Sequence, residues 1–416
     1  MVLKPLVCTE EKMPLRRILQ QDIVRMQATK PENTSLAAAY FKSRPMHNST
    51  QIAASKIKRE TGNIPVVGRG GPGVRPKHGA ETIMIEPMPI EIDDTISAVE
   101  MDNYERATEM GKNQIIDEFT GEHYDMVRET MNALCCQAHR GKIDYMMKTE
   151  SGLQRYVVEY GTDEEISAMQ HSFSKSFSSV KYNEVVLYLS QLEQKIRKNG
   201  VGGPVEFIAA SDVYSQLVDL VTKQNVQFQI SGDSVQIGKF KVLQDNDSYI
   251  DIVDGKKVVK SLCGSGEICA RAVNAGQSMP FCKLDDSVQQ NAVAFYTFSV
   301  ERNDHRGTDI YSKSKPFPIV NIKGIVWGKF APDSFAVTFT AGNNGTVSAK
   351  VDGKAIKSGD KVESGKTVVF TTAPSSSYTV DSWSGDNGSE VEKTADNTYS
   401  LVVDGSKTVS VSFKSA

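Results

Sequence analysis

The sequence predicts an α+β chain that ends in a separate small all-β module, and three observations predict it. Residues 115 to 140 carry apolar side chains at helical spacing, residues 181 to 253 alternate helical and strand-like runs, and residues beyond 331 break into short alternating runs. A chain of 416 residues holds roughly two or three domains. With 39% hydrophobic and 24% charged residues its composition is that of a globular protein. No apolar run approaches the ~20 residues that span a bilayer, so no membrane partner is expected. The start, MVLKPLVCTEEKM, has Lys4, Glu10, Glu11 and Lys12 where a secretory signal needs an apolar stretch, which predicts a chain that stays in the compartment where it is made.

Taken in order, residues 14 to 27 place Leu15, Ile18, Leu19, Ile23 and Met26 on one helical face and Arg16, Arg17 and Arg25 elsewhere. This short basic amphipathic segment is expected to dock on its own domain or a neighbour. From 28 to 60 the periodicity fades into Pro, Asn, Ser and Lys, which reads as an extended arm, tied down by other chains or partly mobile. Runs at Ile64 to Val67 and Ile83 to Ile85 then flank TGNIPVVGRGGPGVRPKHGA, predicting a long hairpin with a glycine-rich tip.

The strongest helical signal follows from Ile115 to Arg140. Ile116, Phe119, Val127, Met131, Leu134 and Ala138 recur on one side, Gly141 supplies a stop, and about seven turns are implied. Glu118, Glu122, Asp125 and Glu129 form a stripe on the opposite side. On a lone helix such a stripe is a solvated face. His123 falls on the apolar side and reads as a satisfied core histidine.

A second helix is predicted from Lys181 to Lys198, with Tyr182, Val185, Leu189, Leu192 and Ile196 inward and a stop at Asn199-Gly200. VEFIAA follows as a buried strand, Ser211 as the N-cap of a further helix with Val213, Leu217, Leu220 and Val221 inward, and strands near Val235 to Leu243 and Tyr249 to Val253, with GKK at 255 to 257 as a loop. Together these make a compact α/β lobe.

Charge reverses along the chain. Residues 1 to 80 hold 14 Lys+Arg against 5 Asp+Glu, whereas residues 81 to 140 hold 4 against 14, within a net charge of only -3. Oppositely charged neighbouring segments suit association with a second copy, the basic arm of one meeting the acidic face of the next.

Catalytic and metal chemistry find no support in the pattern. The six cysteines, Cys8, Cys135, Cys136, Cys263, Cys269 and Cys282, contain no CxxC pair; Cys135 and Cys136 read as small buried hydrophobes, and CGSGEIC as a turn. Gly200, Gly202 and Gly203 precede a strand, whereas a dinucleotide fingerprint places its glycines between strand and helix. Neither GRGGPG nor CGSGEIC ends in the Gly-Lys-Ser/Thr of a phosphate loop, and no GxSxG is present. No enzyme, cofactor or metal is therefore expected.

Several segments, in order, resemble the major capsid proteins of lambda-type tailed phages, the major capsid protein E family. SKIKRETGNIPVVGRGGPGVRPKHG is similar to that family's extended loop, and MVRETMNALCCQAHRGKIDYMMKTESG to its spine helix with the following turn and strand. GPVEFIAASDVYSQLVDLV resembles the strand-helix step of its axial lobe, and ARAVNAGQSMPFCKLD through KSKPFPIVNIKGIVW its closing segment.

The resemblance implies the tailed-phage, HK-type capsid fold: an N-terminal arm at 1–60, an extended loop at 61–90, and a peripheral domain at 91–200 carrying the spine helix. An axial domain at 201–290 and a closing segment at 291–330 complete it. It further implies a shell subunit assembling into hexamers and pentamers around packaged double-stranded DNA, in a virion capsid built in the host cytoplasm. Scaffold, portal and cementing proteins are the implied partners, and contact with DNA would be generic phosphate attraction. In that architecture Arg69, Arg75, Lys77 and His78 of one copy's loop meet Glu118, Glu122, Asp125 and Glu129 of the next. Covalent joining through Lys77 is not expected.

Residues 333–416 differ in texture. FAVTFTA, GTVSAKV, KTVVFTT, SYTVDSWS, TYSLVV and KTVSVSF are separated by Asn-Gly, Asp-Gly and Ser-Gly turns, after a junction at Phe330-Ala-Pro-Asp-Ser. They resemble Listeria-type surface repeats and other Ig-like modules appended to phage proteins, which implies exterior decoration, either clamping neighbours or adhering to glycans. Tyr378 and Trp383 read as core residues. A nanocompartment shell of the same fold, or a secreted adhesin, are the alternative readings.

Overall fold

The computed structural model describes residues 35–53, 84–223, 230–253, 255–284, 291–301 and 308–416. The chain divides into two compact units: residues 1–171, 186–214 and 227–328, and residues 172–185, 215–226 and 329–416. The segment 14–27 and the run Ile64 to Val67 lie outside the described residues.

Six helices are found among the described residues. They are α1 (Leu36–Ala39), α2 (Ala98–Arg106), α3 (Glu109–His139), α4 (Asp163–Ala168), α5 (Tyr182–Lys198) and α6 (Ser211–Lys223). The long helix α3 starts six residues before the apolar pattern does, because the Thr108 side chain accepts from Gly111 N and caps it. Residues 109 to 114 have the cap and little apolar content, so periodicity alone misses them. α4 was not expected either; Thr162 and Glu165 form a reciprocal capping box that is legible only once sought. Ser211 opens α6 as its first residue, and its hydroxyl donates to Asp245 O at 3.1 Å.

The central sheet has seven strands in the order Gln170–Ser176, Ile325–Ala331, Glu267–Ala272, Val205–Ala209, Phe240–Gln244, Ser234–Ile237 and Ile230–Ser231. Val205–Ala209 and Glu267–Ala272 supply its middle, which is why Phe207, Ile208, Cys269 and Ala270 are at most 1% exposed. The single run expected near Val235 to Leu243 is in fact a hairpin turning at Gly238, φ 57°. The GKK loop is also corrected: Gly255 makes the turn, φ 75°, while Lys256 and Lys257 open the strand Lys256–Ser261.

Two further features depart from the sequence expectation. Met84–Ile85 pairs antiparallel with Ile52–Ala53 of the arm, a pairing that the sequence pattern does not announce. The arm itself is tied down: Met279 N donates to Ser43 O and Phe281 N to Pro45 O.

Where α3 ends, its last turn is locked by non-local groups. Trp327, fully buried, donates from Nε1 to His139 O at 3.2 Å, and the Arg140 guanidinium lies 3.6 Å from the centre of its ring. Arg140 also reaches Glu267 at 2.7 Å. Gly141, φ 83°, then turns the chain into the hairpin of Lys142–Thr149 and Gly152–Glu159.

In the second unit, residues 334 to 416 form two packed sheets. One runs Asp360–Glu363, Ser334–Ala341, Lys407–Ser415, Tyr378–Ser384; the other runs Lys354–Ile356, Gly345–Val351, Thr367–Pro374, Thr398–Val402, Glu392–Ala395. The first and last strands of the module pair in parallel. Alternation sends Val337, Phe339, Val368, Phe370, Leu401 and Val409 into one core. Asp352-Gly353 makes a two-residue turn with φ of 48° and 78°, the conformation an Asp-Gly hairpin requires. Trp383 packs 5.2 Å from both Phe370 and Tyr399, as a core residue; Tyr378 is half-buried and outside that cluster. At the junction Phe330 stacks on Phe173 at 4.7 Å, and Asp333 accepts from the hydroxyls of Ser176 and Ser178.

Candidate intersubunit surface

α3 is built as a two-sided element. Thr120, His123, Val127, Met131, Leu134, Cys135 and Ala138 point into the core, while Glu118, Glu122, Asp125 and Glu129 are all exposed on the outer side. The stripe read from spacing is therefore present as one continuous acidic face. Within it Asp125 pairs with Arg128 at 3.1 Å, one turn on. Like charges at i,i+4 each cost an isolated helix roughly 0.2–0.5 kcal/mol, so the pairs 118–122 and 125–129 work against the helix that carries them. Met126, 51% exposed, sits beside the stripe and adds an apolar spot.

His123 anchors the helix from the other side. Its Nδ1 lies 2.9 Å from Ser312 Oγ and its Nε2 3.7 Å from Asp94 Oδ2, and Ser312 Oγ is itself 2.9 Å from Thr297 Oγ1. The core-histidine reading holds. Its partners lie 29 and 189 residues away in sequence, beyond any local signal.

The five described cysteines are buried and form no disulfide. Burial pushes the Cys135 and Cys269 thiols up to about 12, far from the thiolate a nucleophile or metal ligand needs. Among the described residues no group of three or more His, Cys, Asp or Glu side chains is placed to hold a metal ion.

A network that spacing does not reveal joins two hairpins beside α3. Arg155 reaches Asp144 Oδ1 at 2.6 Å and Asp251 Oδ1 at 3.4 Å, and Lys260 reaches Asp251 Oδ2 at 2.7 Å. Burial alone pushes the Asp251 carboxyl up, but Lys260 and Arg155 outweigh it and hold it below the usual range.

Arg69, Arg75, Lys77 and His78 lie outside the described residues. What is described is the stem from which their loop departs. Ile52 faces Ile85 and Ala53 faces Met84, and the Tyr156 hydroxyl donates to Glu86 O at 3.3 Å.

Comparison with known proteins adds the following. The model of the family described as phage major capsid protein E matches residues 22–330, and that of the divergent InlB B-repeat domain matches residues 335–416. No curated protein matches the chain. Among solved structures, a protein assigned as a prophage capsid protein in E. coli CFT073 is 14% identical with a TM-score of 0.49, covering 76% of this chain and 97% of that one. The capsid of cyanophage P-SCSP1u gives 9% identity and 0.42, covering 73% and 90%. The mature capsid of bacteriophage PhiM1 gives 9% and 0.40, covering 72% and 88%. These likenesses are distant.

Proposed function

The chain belongs to the phage major capsid protein E family, and from that premise we propose how its copies join. It is a capsid shell protein with a C-terminal repeat module, and its place is the virion capsid. That membership supports a structural role over the adhesin reading.

In our reading the copies form hexamers and pentamers that close around packaged double-stranded DNA, with scaffold and portal proteins assisting in the host cytoplasm. The domains are those the sequence suggests: arm 1–60, extended loop 61–90, peripheral 91–200, axial 201–290, closing segment 291–330 and β module 333–416. The loop of one copy lies over α3 of the next, setting Arg69, Arg75, Lys77 and His78 against Glu118, Glu122, Asp125 and Glu129.

The observation that carries this reading is the exposed acidic face of α3. Inside one chain it is self-repelling; beneath a basic loop it becomes a complement. A chain of 30 residues, the number between Ala53 and Met84, spans at most about 50 Å out and back, a reach that supports contact with a neighbouring copy. Exposed pairs contribute only ~0.2–1 kcal/mol each, but a closed shell repeats the contact in every subunit. The β module sits on the exterior, clamping neighbours or offering a weak adhesive surface toward glycans.

The test is assembly of a Glu122→Lys, Glu129→Lys double variant across salt, scored by negative-stain microscopy. Loss of shells at low salt supports the contact; assembly unchanged from the native chain overturns it.

A further inference from the structure

The dipeptide Asn-Gly occurs at Asn199-Gly200, Asn344-Gly345 and Asn387-Gly388. Asparagine is chemically labile in this setting. Glycine has no Cβ, so its backbone nitrogen lies open to the side-chain amide of the preceding asparagine, and the two can close a five-membered ring. What else holds the two groups decides whether they do.

At two of the three sites both reacting groups are held. Asn199 Nδ2 donates to Lys323 O at 3.2 Å, and Gly200 N donates to Arg197 O at 3.0 Å. Asn387 is held more firmly: Nδ2 donates to Glu390 Oε1 at 2.8 Å, Oδ1 accepts from Thr408 N at 3.0 Å, and Gly388 N donates to Gly385 O at 3.2 Å. Each of these bonds must break before a ring can close. A hydrogen bond to a charged group keeps the released form to about a tenth or less, and a neutral one to about a tenth to a half.

Asn344 lacks this restraint. It is exposed in the turn that leads into the strand Gly345–Val351, at a φ of 71°, and no hydrogen bond to its side chain is found among the described residues. The Gly345 N–H is turned outward as well. Gly345 stands opposite Pro374, and Ser375 N donates to Asn344 O at 2.8 Å, so 345 and 374 form a non-hydrogen-bonded pair and the Gly345 N–H faces away from the strand Thr367–Pro374. On the other side, the strand Lys354–Ile356 pairs no nearer than Ala349.

We propose that Asn344 is a site of spontaneous deamidation in the β module. The Gly345 nitrogen loses its proton to solvent and attacks the carbonyl carbon of the Asn344 side chain. The bond from that carbon to the amide nitrogen breaks, and ammonia leaves with a proton taken from water. Water then opens the resulting succinimide at either carbonyl, giving aspartate at 344 or its isomer, in which the main chain runs through the side-chain carbon. In sum one water is consumed and one ammonia released, with no oxidant or reductant. The aspartate product keeps the turn, because aspartate tolerates the left-handed φ. The isomer lengthens the backbone by one methylene and displaces the carbonyl that Ser375 N uses. Either product adds one negative charge to the module as the protein ages, and the chemistry belongs to the protomer however its copies join.

The experiment incubates the native full-length chain in mildly alkaline buffer, digests samples at acid pH, and follows the three Asn-Gly peptides by mass spectrometry. Conversion at Asn344 is expected to run at least about tenfold faster than at Asn387, and at least about twofold faster than at Asn199. Asn343, exposed in the same turn but followed by a residue with a Cβ, is expected to stay intact. In urea the three sites lose their different restraints and their rates are expected to converge. Equal rates in the folded chain, faster conversion at Asn199 or Asn387, or a preference for Asn344 that persists undiminished in urea overturns the proposal. Asn344→Gln, whose side chain would have to close a six-membered ring, is expected to abolish the early release of ammonia. Release undiminished in that variant also overturns it.

Discussion

Arg271 donates from Nη1 to His139 Nε2 across 3.1 Å, between two residues that are each at most 2% exposed. The pairing requires a neutral imidazole: Nδ1–H donates to Cys135 O at 2.7 Å, leaving Nε2 as the acceptor. Arg271 spends its other nitrogens on Glu206, at 2.8 and 2.9 Å, and lies under the ring of Tyr40. The end of α3, the middle of the sheet and the N-terminal arm thus meet at one buried cation.

This site makes the protomer acid-labile. Burial first, and the Arg271 charge second, hold His139 down at about 3 against 6.5 for a free histidine. Below pH 6.5 the unfolded chain takes up a proton that the folded chain refuses, so stability falls as pH falls toward 3. Between pH 7.5 and 5 the loss is roughly 2 kcal/mol. Urea midpoints of native and His139→Leu protomers at pH 7.5 and 5 measure it, and the variant is expected to lose that share of the pH dependence.

Trp327→Phe tests the lock at the end of α3. The substitution strips His139 O of its donor and shrinks the surface under Arg140. A loss of about 2–4 kcal/mol is expected from the buried unpaired carbonyl and the cavity together. Thermal unfolding of the protomer reads it, and near-neutrality would show that neither contact matters.

In the β module, Gly345→Ala places a Cβ 2.4 Å from the ring of Phe413. Overpacking of about 1–3 kcal/mol is expected. Adding Phe413→Leu, which opens the space, is expected to recover part of the loss in a melt of the same protein.

Ending the chain at residue 333 separates decoration from construction. If the module is an exterior attachment, shells still form, because the family match ends at residue 330. Reduced heat resistance of those shells is the mark of clamping, and lost binding to immobilised mucin the mark of adhesion. Failure to form any shell contradicts the decorative role.

Much of this protein was legible in its sequence. Helical spacing determined that α3 exists and that its acids share one outward face, because a 3.6-residue period is a local property. Alternation and Asp-Gly turns determined the β module in the same way, down to the inward Trp383. Local signals also located the inward faces of α5 and α6.

The rest depended on contacts between residues far apart in the chain. Arg155 meets Asp251 across 96 positions and Arg271 meets His139 across 132, and nothing in either neighbourhood announces the other. The pairing of Met84–Ile85 with the arm was not legible for the same reason. Short strands choose partners by what the folded chain brings beside them, and here it brought Ile52 to Ile85. The acidic stripe, visible at once as a pattern, became an exposed surface only when the tertiary structure packed the opposite face of α3 and left that one uncovered.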